Sequence, residues 1–497
     1  MGISFNAAAL LNGNGIDVKS LVAAVQSAAT APLTAMQNQQ TDLSTQAGLL
    51  SGYENNLTAL QASVLSLAST TGPLASQTAT SSDSSILSAT AATTATAGTH
   101  QIVVSALATT GTIYTNSLKD GNTSFLTSPA TTGDIKLQVG TGTSATTYDI
   151  PITQGSNGND TLSTLASYIN GQKWGVTANV VTDATGARLA LSSQATGTAG
   201  ALSITNDDAN LTSLVFNTPM GGNNASFTLD GVPFSSTTNT VKGAIAGVTL
   251  NLASADKNTT VQLTVGPDTA AATTAINNFV SDYNTMIGNL NTQFTVNPTT
   301  NSEGPLGSDI ALRQLQSSLL SDVTYSITGN SGLVNLASLG IDMNNDGTLT
   351  VNQTATYDAQ GNLTHQSLAN VLATNPSAVQ SFFQNSSHTG FADSFNNDLF
   401  NLTDATNGII NVDIIGNKAQ SQSLTTQINN LQDRLTAQKA ALTLVFDKVN
   451  ATLEAYPSLL NEVNAEIGAL NGNYNVSSST STNTTANTGT STSSSSG

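Results

Sequence analysis

Apolar residues recur every seven positions near both ends of this 497-residue chain, and this repeat constrains the fold more than any other feature. Near the N-terminus one series interleaves with a second over four heptads: Met36, Leu43, Leu50, Leu57 and Val64, with Tyr53, Leu60 and Leu67. This spacing places all of these side chains on one face of an α-helix. The sequence therefore predicts a long amphipathic helix. A shorter helix is expected from an N-cap at Asp17, with Pro32 starting or kinking the next segment.

A matching stripe lies near the C-terminus, over Leu424, Ile428, Leu431, Leu435, Leu442, Phe446, Val449 and Leu453. It continues through Tyr456, Leu460, Val463, Ile467 and Leu470, and Pro457 is expected to kink or divide the helix. A single helix whose opposite face is polar cannot bury its own apolar stripe. We therefore expect the two terminal stripes to pack on each other, or on copies from other subunits, as a coiled-coil stalk. Two independent core helices of separate domains are the alternative.

The middle of the chain alternates apolar and polar residues with a period of two, as in residues 135–139, 248–252 and 261–265. Such strands have one buried and one solvated face, which favours antiparallel sheets. Helices are also predicted in this region, at residues 161–169, 269–290, 310–320 and 368–383. The expected fold class is α+β and multidomain, with a terminal helical stalk enclosing inserted antiparallel β-rich head domains.

This order of elements predicts that each domain is inserted in the one before it. Terminal helical segments, partly disordered before assembly, are expected at 1–40 and 440–476, and a helical leg domain at 41–76 and 272–439. A β-rich head domain is expected at 77–133 and 222–271, with a second β-rich head domain, 134–221, inserted in it. Residues 477–497 are Ser, Thr, Asn and Gly with a single Ala. They have nothing to bury and are expected to be disordered.

Charge and cysteine content exclude several classes of function. Only 8% of residues are charged, the net charge is −18, and there is no cysteine. The acid excess argues against nucleic acids and anionic membranes, because both attract clustered cations. No apolar run approaches the roughly 20 residues of a membrane span. The absence of a cation before Lys19 argues against a secretory signal. Together with the lack of thiols, this suggests export from the cell without a cleaved signal.

No group of residues predicts catalysis. The three histidines, His100, His365 and His388, are far apart, and neither a zinc-binding helix motif nor a G-x-S-x-G nucleophile turn is present. We therefore expect no enzyme activity, no cofactor and no metal.

Three other features have structural interpretations. Residues 342–347 match the start of a calcium loop, but Gln353 replaces the bidentate Glu, so an Asn-Asp-Gly hairpin turn is favoured. Residues 140–145 are half of a dinucleotide loop without a following helix, which favours a β-turn. Trp174, the only tryptophan, is interpreted as a core or domain-edge anchor.

Short motifs occur in an order that resembles one family. They are Gly15-Ile16-Asp17 with Leu21-Val22 and Ala31-Pro32; Asp230-Gly231, Asn239 and Gly247-Val248-Thr249-Leu250; Phe279-Val280 with Tyr283-Asn284; Leu306-Gly307; Asp346-Gly347-Thr348-Leu349; and Asn375-Pro376 with Phe382-Phe383. The chain resembles the bacterial flagellar filament caps, the flagellar hook-associated protein 2 (FliD) family. Each motif is short, and their common order along most of the chain makes the match specific.

This resemblance implies a structural role. It implies a ring of copies, commonly a pentamer, at the filament tip, exported through the flagellar type III channel. The ring would prevent loss of flagellin and promote its polymerisation. Flagellin, the junction protein and an export chaperone on the C-terminal helix are the implied partners. The two stripes, from Leu43 to Leu67 and from Leu424 to Leu453, are the expected assembly interface. A flagellin-like or junction filament protein, a surface adhesin for glycans, and an enzyme are the alternatives.

Overall fold

The computed structural model describes residues 18–126, 129–155, 158–206, 208–385 and 387–471. The chain divides into two compact units, Met1–Leu50 with Asp413–Gly497, and Ser51–Val412. Both long terminal helices contribute residues to both units. The predicted cap at Asp17 and the tail at 477–497 lie outside the described residues.

Helices occur at both ends and in the second half of the chain. They are α1 (Val18–Ala68), α2 (Leu162–Gly171), α3 (Thr269–Phe294), α4 (Ile310–Val323), α5 (Leu368–Thr374), α6 (Pro376–Phe383), α7 (Phe391–Leu402) and α8 (Ile409–Asn471). Within the described part of the chain, no helix has both the length and the apolarity needed to cross a membrane. The predicted helices are confirmed, apart from the effects of three prolines.

Two prolines expected to interrupt a helix do not end it, and a third separates two helices where one was predicted. Pro32 lies inside α1 and Pro457 inside α8, and neither ends its helix. Both are exposed, where water can satisfy a carbonyl that lacks its N–H partner. By contrast, the helix predicted over 368–383 is two helices separated at Asn375, whose φ of −136° is not helical. Pro376 disfavours the helical conformation in the residue before it and begins α6.

The strands lie between α1 and α5. They are β1 (Gln77–Ser81), β2 (Leu87–Ala91), β3 (Gly98–Ala106), β4 (Thr110–Thr115), β5 (Thr132–Val139), β6 (Thr146–Thr153), β7 (Val176–Asp183), β8 (Gly186–Thr196), β9 (Leu202–Thr205), β10 (Phe216–Met220), β11 (Ala225–Leu229), β12 (Val232–Ser236), β13 (Thr240–Lys242), β14 (Val248–Leu252), β15 (Val261–Pro267), β16 (Ile341–Met343), β17 (Leu349–Val351), β18 (Thr356–Tyr357) and β19 (Leu363–His365). All strand pairs among the described residues are antiparallel, which confirms the predicted fold class.

The larger sheets surround two separate apolar cores. A five-stranded sheet (β1-β15-β3-β11-β12) and a three-stranded sheet (β13-β14-β2) supply the first core, which includes Phe227 and Leu263. A four-stranded sheet (β10-β4-β8-β7), a three-stranded sheet (β6-β5-β9) and α2 supply the second. Ile113 and Phe125 belong to the second core, although the sequence analysis placed residues 77–133 with the first. Ile113 does so because β4 pairs with β8 and β10, and Phe125 does so beside α2, where its N–H donates to the Asp160 carbonyl at 2.8 Å. The domain boundaries themselves stay a prediction.

The chain enters and leaves each of these regions on neighbouring strands or loops. At the first crossing β1 pairs with β15, with Gln77 opposite Pro267. At the second, the Thr109 N–H donates to the Asn223 carbonyl at 2.9 Å. Asn239, from the family-like motif, also binds this crossing, accepting from the Ala108 N–H at 2.7 Å. Each region is therefore closed at its base by hydrogen bonds between its outgoing and returning segments.

The hairpin of β16 and β17 is the turn favoured over a calcium loop. Gly347 has a φ of +82°, and a Cβ there would lie 2.6 Å from Leu320 Cδ2. Asn284 on α3 holds the hairpin because its amide accepts from the Leu349 N–H at 2.6 Å and donates to the Leu349 carbonyl at 2.7 Å. The segment at 140–145 is likewise a tight connection between β5 and β6.

Trp174 lies at the edge of the second core, as predicted. Its side chain is half-buried and packs against that core. The ring stacks on Tyr148 with centroids 4.5 Å apart. The indole is therefore an anchor at the edge of a domain.

Six aromatic rings form the centre of the helical part of the second unit. Phe391 on α7 is fully buried, and its ring lies 5.5–5.7 Å from four other phenylalanine rings and 6.5 Å from the ring of Tyr325. The four are Phe279, Phe382, Phe383 and Phe395. This cluster unites α3, α6 and α7.

Candidate assembly surface

The two terminal stripes meet in the first unit. Leu43 of α1 packs with Leu424 and Ile428 of α8 in one buried cluster, which Leu33 and Met36 extend. Beside this cluster the Gln40 amide donates to the Thr425 hydroxyl at 2.9 Å, and the Asn417 amide donates to Gln46 Oε1 at 3.4 Å. Rising numbers on α1 match falling numbers on α8, so the helices run antiparallel. The expected contact between the stripes is therefore seen for Leu43, Leu424 and Ile428, and a coiled coil and an assembly interface along the stripes stay predictions.

Burial decreases along α8 beyond this cluster. Leu435 is still buried, whereas Leu431, Leu442 and Phe446 are half-buried. Val449 is 40% exposed. The side chain of Leu453 lies outside the described residues. The second half of the predicted C-terminal stripe is therefore progressively open to solvent.

The rest of the N-terminal stripe is sealed inside the chain. Leu50 in the first unit, and Tyr53, Leu57, Leu60, Val64 and Leu67 in the second, are each 3% exposed or less. The Tyr53 hydroxyl donates to the Asn289 carbonyl of α3 at 3.0 Å, and burial raises the pKa of Tyr53 to about 12. These side chains are core residues of a single copy and present no free surface to another.

The end of α8 presents a continuous apolar surface, which we name the C-terminal stripe: Val445, Val449, Tyr456, Leu460, Val463 and Ile467. Its members are 40–60% exposed. Successive steps of four, seven, four, three and four residues keep them on one helix face. Leu459, 58% exposed, widens the surface, and Leu444, 72% exposed, lies on its flank. The sequence analysis did not single out these two or Val445, although the Leu444-Val445 and Leu459-Leu460 doublets mark them.

One cation, Lys448, lies beside the C-terminal stripe in a groove that it lines with Val445, Val449 and Tyr456, and the acidic side chains of the following residues lie further from the stripe. Residues 449–471 contain Glu454, Glu462 and Glu466 and no Lys or Arg. Glu454 accepts a hydrogen bond from the Asn450 amide at 2.9 Å. Helical spacing places Glu454 on the opposite face and Glu462 and Glu466 on the flanks. Such an apolar surface with polar flanks is typical of a site of protein association.

Comparison with known proteins identifies the family. Residues 14–111 match the N-terminal part, and residues 222–458 the C-terminal part, of flagellar hook-associated protein 2. Residues 134–195 match the flagellin hook IN motif.

Individual relatives agree with these matches. The chain is 28% identical to the B-type flagellar hook-associated protein 2 of Pseudomonas aeruginosa over 68% of this chain and 74% of that one. It is also 28% identical to flagellar hook-associated protein 2 of Escherichia coli K12, over 90% and 95%. The crystal structure of the D1-D2-D3 domains of the E. coli flagellar cap protein FliD aligns with a TM-score of 0.55 and 27% identity. It covers 74% of this chain and 99% of that chain. The N-terminal and C-terminal parts of the family both match, in the same order along the chain. The chain therefore belongs to the flagellar hook-associated protein 2 family.

Proposed function

We propose that this chain caps the distal end of the bacterial flagellar filament, where it prevents loss of exported flagellin and promotes its polymerisation. The observation that carries this proposal, beyond family membership, is the exposed C-terminal stripe. A helix that leaves six large apolar side chains in water gains free energy when a partner covers them. A role in assembly accounts for this surface.

The partner we propose first is another copy of the chain. Copies associate through their C-terminal stripes into a closed ring outside the cell, commonly a pentamer in this family. Flagellin and the junction protein contact the ring, and an export chaperone covers the stripe beforehand. Because isolated helices are only marginally stable, the terminal segments can pass unfolded through a type III export channel and order on assembly.

The predicted interface then divides into two roles. The predicted stripe residues Leu43, Leu50, Tyr53, Leu57, Leu60, Val64 and Leu67, with Leu424, Ile428 and Leu435, hold the helices in place within one copy, since they are buried there. The half-buried and exposed positions from Leu442 onward make the contact between copies. The buried stripe residues therefore support assembly only by holding the helices of one copy in the position that exposes the C-terminal stripe.

Light scattering on the purified protein across a concentration series tests the proposed ring. A discrete oligomer that stops growing with concentration supports it and gives the subunit number. Open-ended growth favours a filament protein instead. A strict monomer at all concentrations restricts assembly to the filament end.

Placing two charges in the C-terminal stripe should abolish assembly without unfolding the chain. We expect Leu460→Asp with Val463→Asp to weaken self-association by on the order of a thousandfold, about 4 kcal/mol, since truncating central apolar contacts costs ~2 kcal/mol or more each. The melting temperature should stay unchanged because both residues are exposed. Light scattering and swimming in soft agar measure the two effects.

Asn461→Asp provides the matched control, since it adds a carboxylate on the other side of the same helical turn. It should assemble and swim normally. If the double variant in the stripe behaves like Asn461→Asp, the C-terminal stripe is not the assembly surface.

A further inference from the structure

The spacing of the C-terminal stripe is symmetric about Tyr456. Its other members lie seven and eleven residues before Tyr456 and four, seven and eleven residues after it: Val449, Val445, Leu460, Val463 and Ile467. Thr452 supplies the remaining position, four residues before Tyr456. Its hydroxyl donates to the Lys448 carbonyl of the same helix at 2.8 Å, which leaves its methyl group free for an apolar contact. Since eleven residues are close to three turns of α-helix, all seven side chains share one face.

The described part of α1 ends near the start of this surface. Gln40 of α1 lies beside Thr425 of α8, and the two helices run antiparallel. Val18, the first described residue of α1, therefore lies beside about residue 447 of α8, because both helices advance by the same rise per residue. From Val449 onward, the C-terminal stripe extends past the described residues of α1.

The charged residues beside the stripe lie on one side of it. At 3.6 residues per turn, Lys448 and Glu466 fall on the same side, and Glu462 lies further round on that side. Asp447 and Glu454 fall on the opposite face of the helix, and the second side of the stripe carries no Lys, Arg, Asp or Glu between residues 445 and 467. One end of the stripe is therefore flanked by a cation and the other end by anions.

Only an antiparallel second copy matches both the spacing and the charges. If two stripes pack antiparallel about Tyr456, Val449 of each copy faces Val463 of the other. A two-fold axis across the helices also brings the same side of each helix together, so Lys448 lies beside Glu466 of the second copy, and this pair occurs twice. In a parallel pair each side meets the other helix's opposite side, and Lys448 faces no charge.

We propose that a second copy of the chain covers the C-terminal stripe in solution, in antiparallel orientation. This inference rests on the proposed role of the stripe in association and adds the arrangement of the copies. Burial of the seven positions on each copy favours association, and the two ion pairs favour the antiparallel orientation. A two-fold contact is complete with two copies. The dimer therefore covers the surface that the ring needs, and it dissociates before the ring assembles.

Disulfide trapping tests the orientation, because the chain has no cysteine of its own. Val449→Cys and Val463→Cys are made as separate full-length chains, one of them with a tag that changes its mass, and are mixed and mildly oxidised. A disulfide requires Cα atoms within about 7 Å of each other. We expect tagged chains to join untagged ones, and neither variant to join itself, since identical positions lie about 21 Å apart along the antiparallel pair. Joining of each variant to itself, with none between the two, would overturn the proposal.

Glu454→Cys is the control for chance encounters. It lies on the face opposite the stripe, so it should form no disulfide alone or in either mixture. If it joined as fast as Val449→Cys joins Val463→Cys, the trapped contact would not be specific, and the proposal would fail.

Charge reversal tests the ion pairs in the same dimer. Lys448→Glu places like charges together, so dimerisation at low salt should weaken by about tenfold, and Lys448→Glu combined with Glu466→Lys should restore it. Sedimentation equilibrium measures both. Lys439→Glu makes the same charge change on α8 outside the stripe and should dimerise like wild type. An unchanged dimer in Lys448→Glu, or no recovery in the double variant, would overturn the orientation.

The mass of the wild-type chain separates this inference from the proposed function. A dimer across a concentration series supports the antiparallel pair. A closed ring of more than two copies, or a monomer at all concentrations, overturns the dimer and leaves a cap at the filament end intact. Normal swimming of the variant with Leu460→Asp and Val463→Asp would contradict the proposed role of the stripe in the cap, whatever the mass in solution.

Discussion

The variant Leu57→Asp is expected to unfold the helical part of the second unit and to abolish swimming. Leu57 is only 1% exposed, so the substitution would bury a carboxylate without a partner. We expect a loss of at least about 4 kcal/mol, in the range typical of an unpaired buried charge. Urea unfolding followed by circular dichroism at 222 nm measures this loss, and expansion in soft agar measures swimming.

Leu65→Asp separates a folding role from an interface role. Leu65 lies two turns further along α1 and is 48% exposed, so it should tolerate the carboxylate at a cost within about 0.5 kcal/mol. If Leu57→Asp kept normal stability but failed to assemble, Leu57 would be a contact between copies and not a core residue.

The variant Phe391→Ala is expected to cost about 3–5 kcal/mol, as is typical when a buried phenylalanine is truncated. Its ring is fully buried at the centre of the aromatic cluster, and removing it leaves a cavity bordered by α3, α6 and α7. Lost ring–ring contacts add to the cost. The midpoint of urea unfolding should fall, with little change in the β signal of the strand-rich regions.

Phe400→Ala is the matched control on the same helix. Phe400 is 63% exposed, so its removal should leave the midpoint nearly unchanged. A small effect of Phe391→Ala, equal to that of Phe400→Ala, would show that the cluster is not the centre of this core.

Periodicity predicted the classes of elements well. The seven-residue repeat placed α1 and α8, and alternation placed β5, β14 and β15, because these patterns reflect which side of an element is buried. The Phe279, Tyr283 and Asn284 motif was also located correctly on a helix. Its separate roles, two rings in the core and an amide bound to β17, needed the structure.

Sequence alone could not distinguish buried from exposed positions within one stripe. Leu60 and Leu460 fit the same repeat, yet the first is fully buried and the second is 50% exposed. The difference lies in the neighbouring elements, which no local pattern encodes.

The paired crossings at the start and end of each strand-rich region have a consequence for how far that region can be changed. Gln77 lies opposite Pro267, and the Thr109 N–H is bonded to the Asn223 carbonyl. The chain segment between the two members of each pair therefore begins and ends at neighbouring positions. A segment whose two ends are adjacent can be shortened, lengthened or replaced by another domain without changing the path of the rest of the chain. The same two anchor points are sites at which a reporter or an antigen could replace the segment between them while the helices outside that segment remain unaltered.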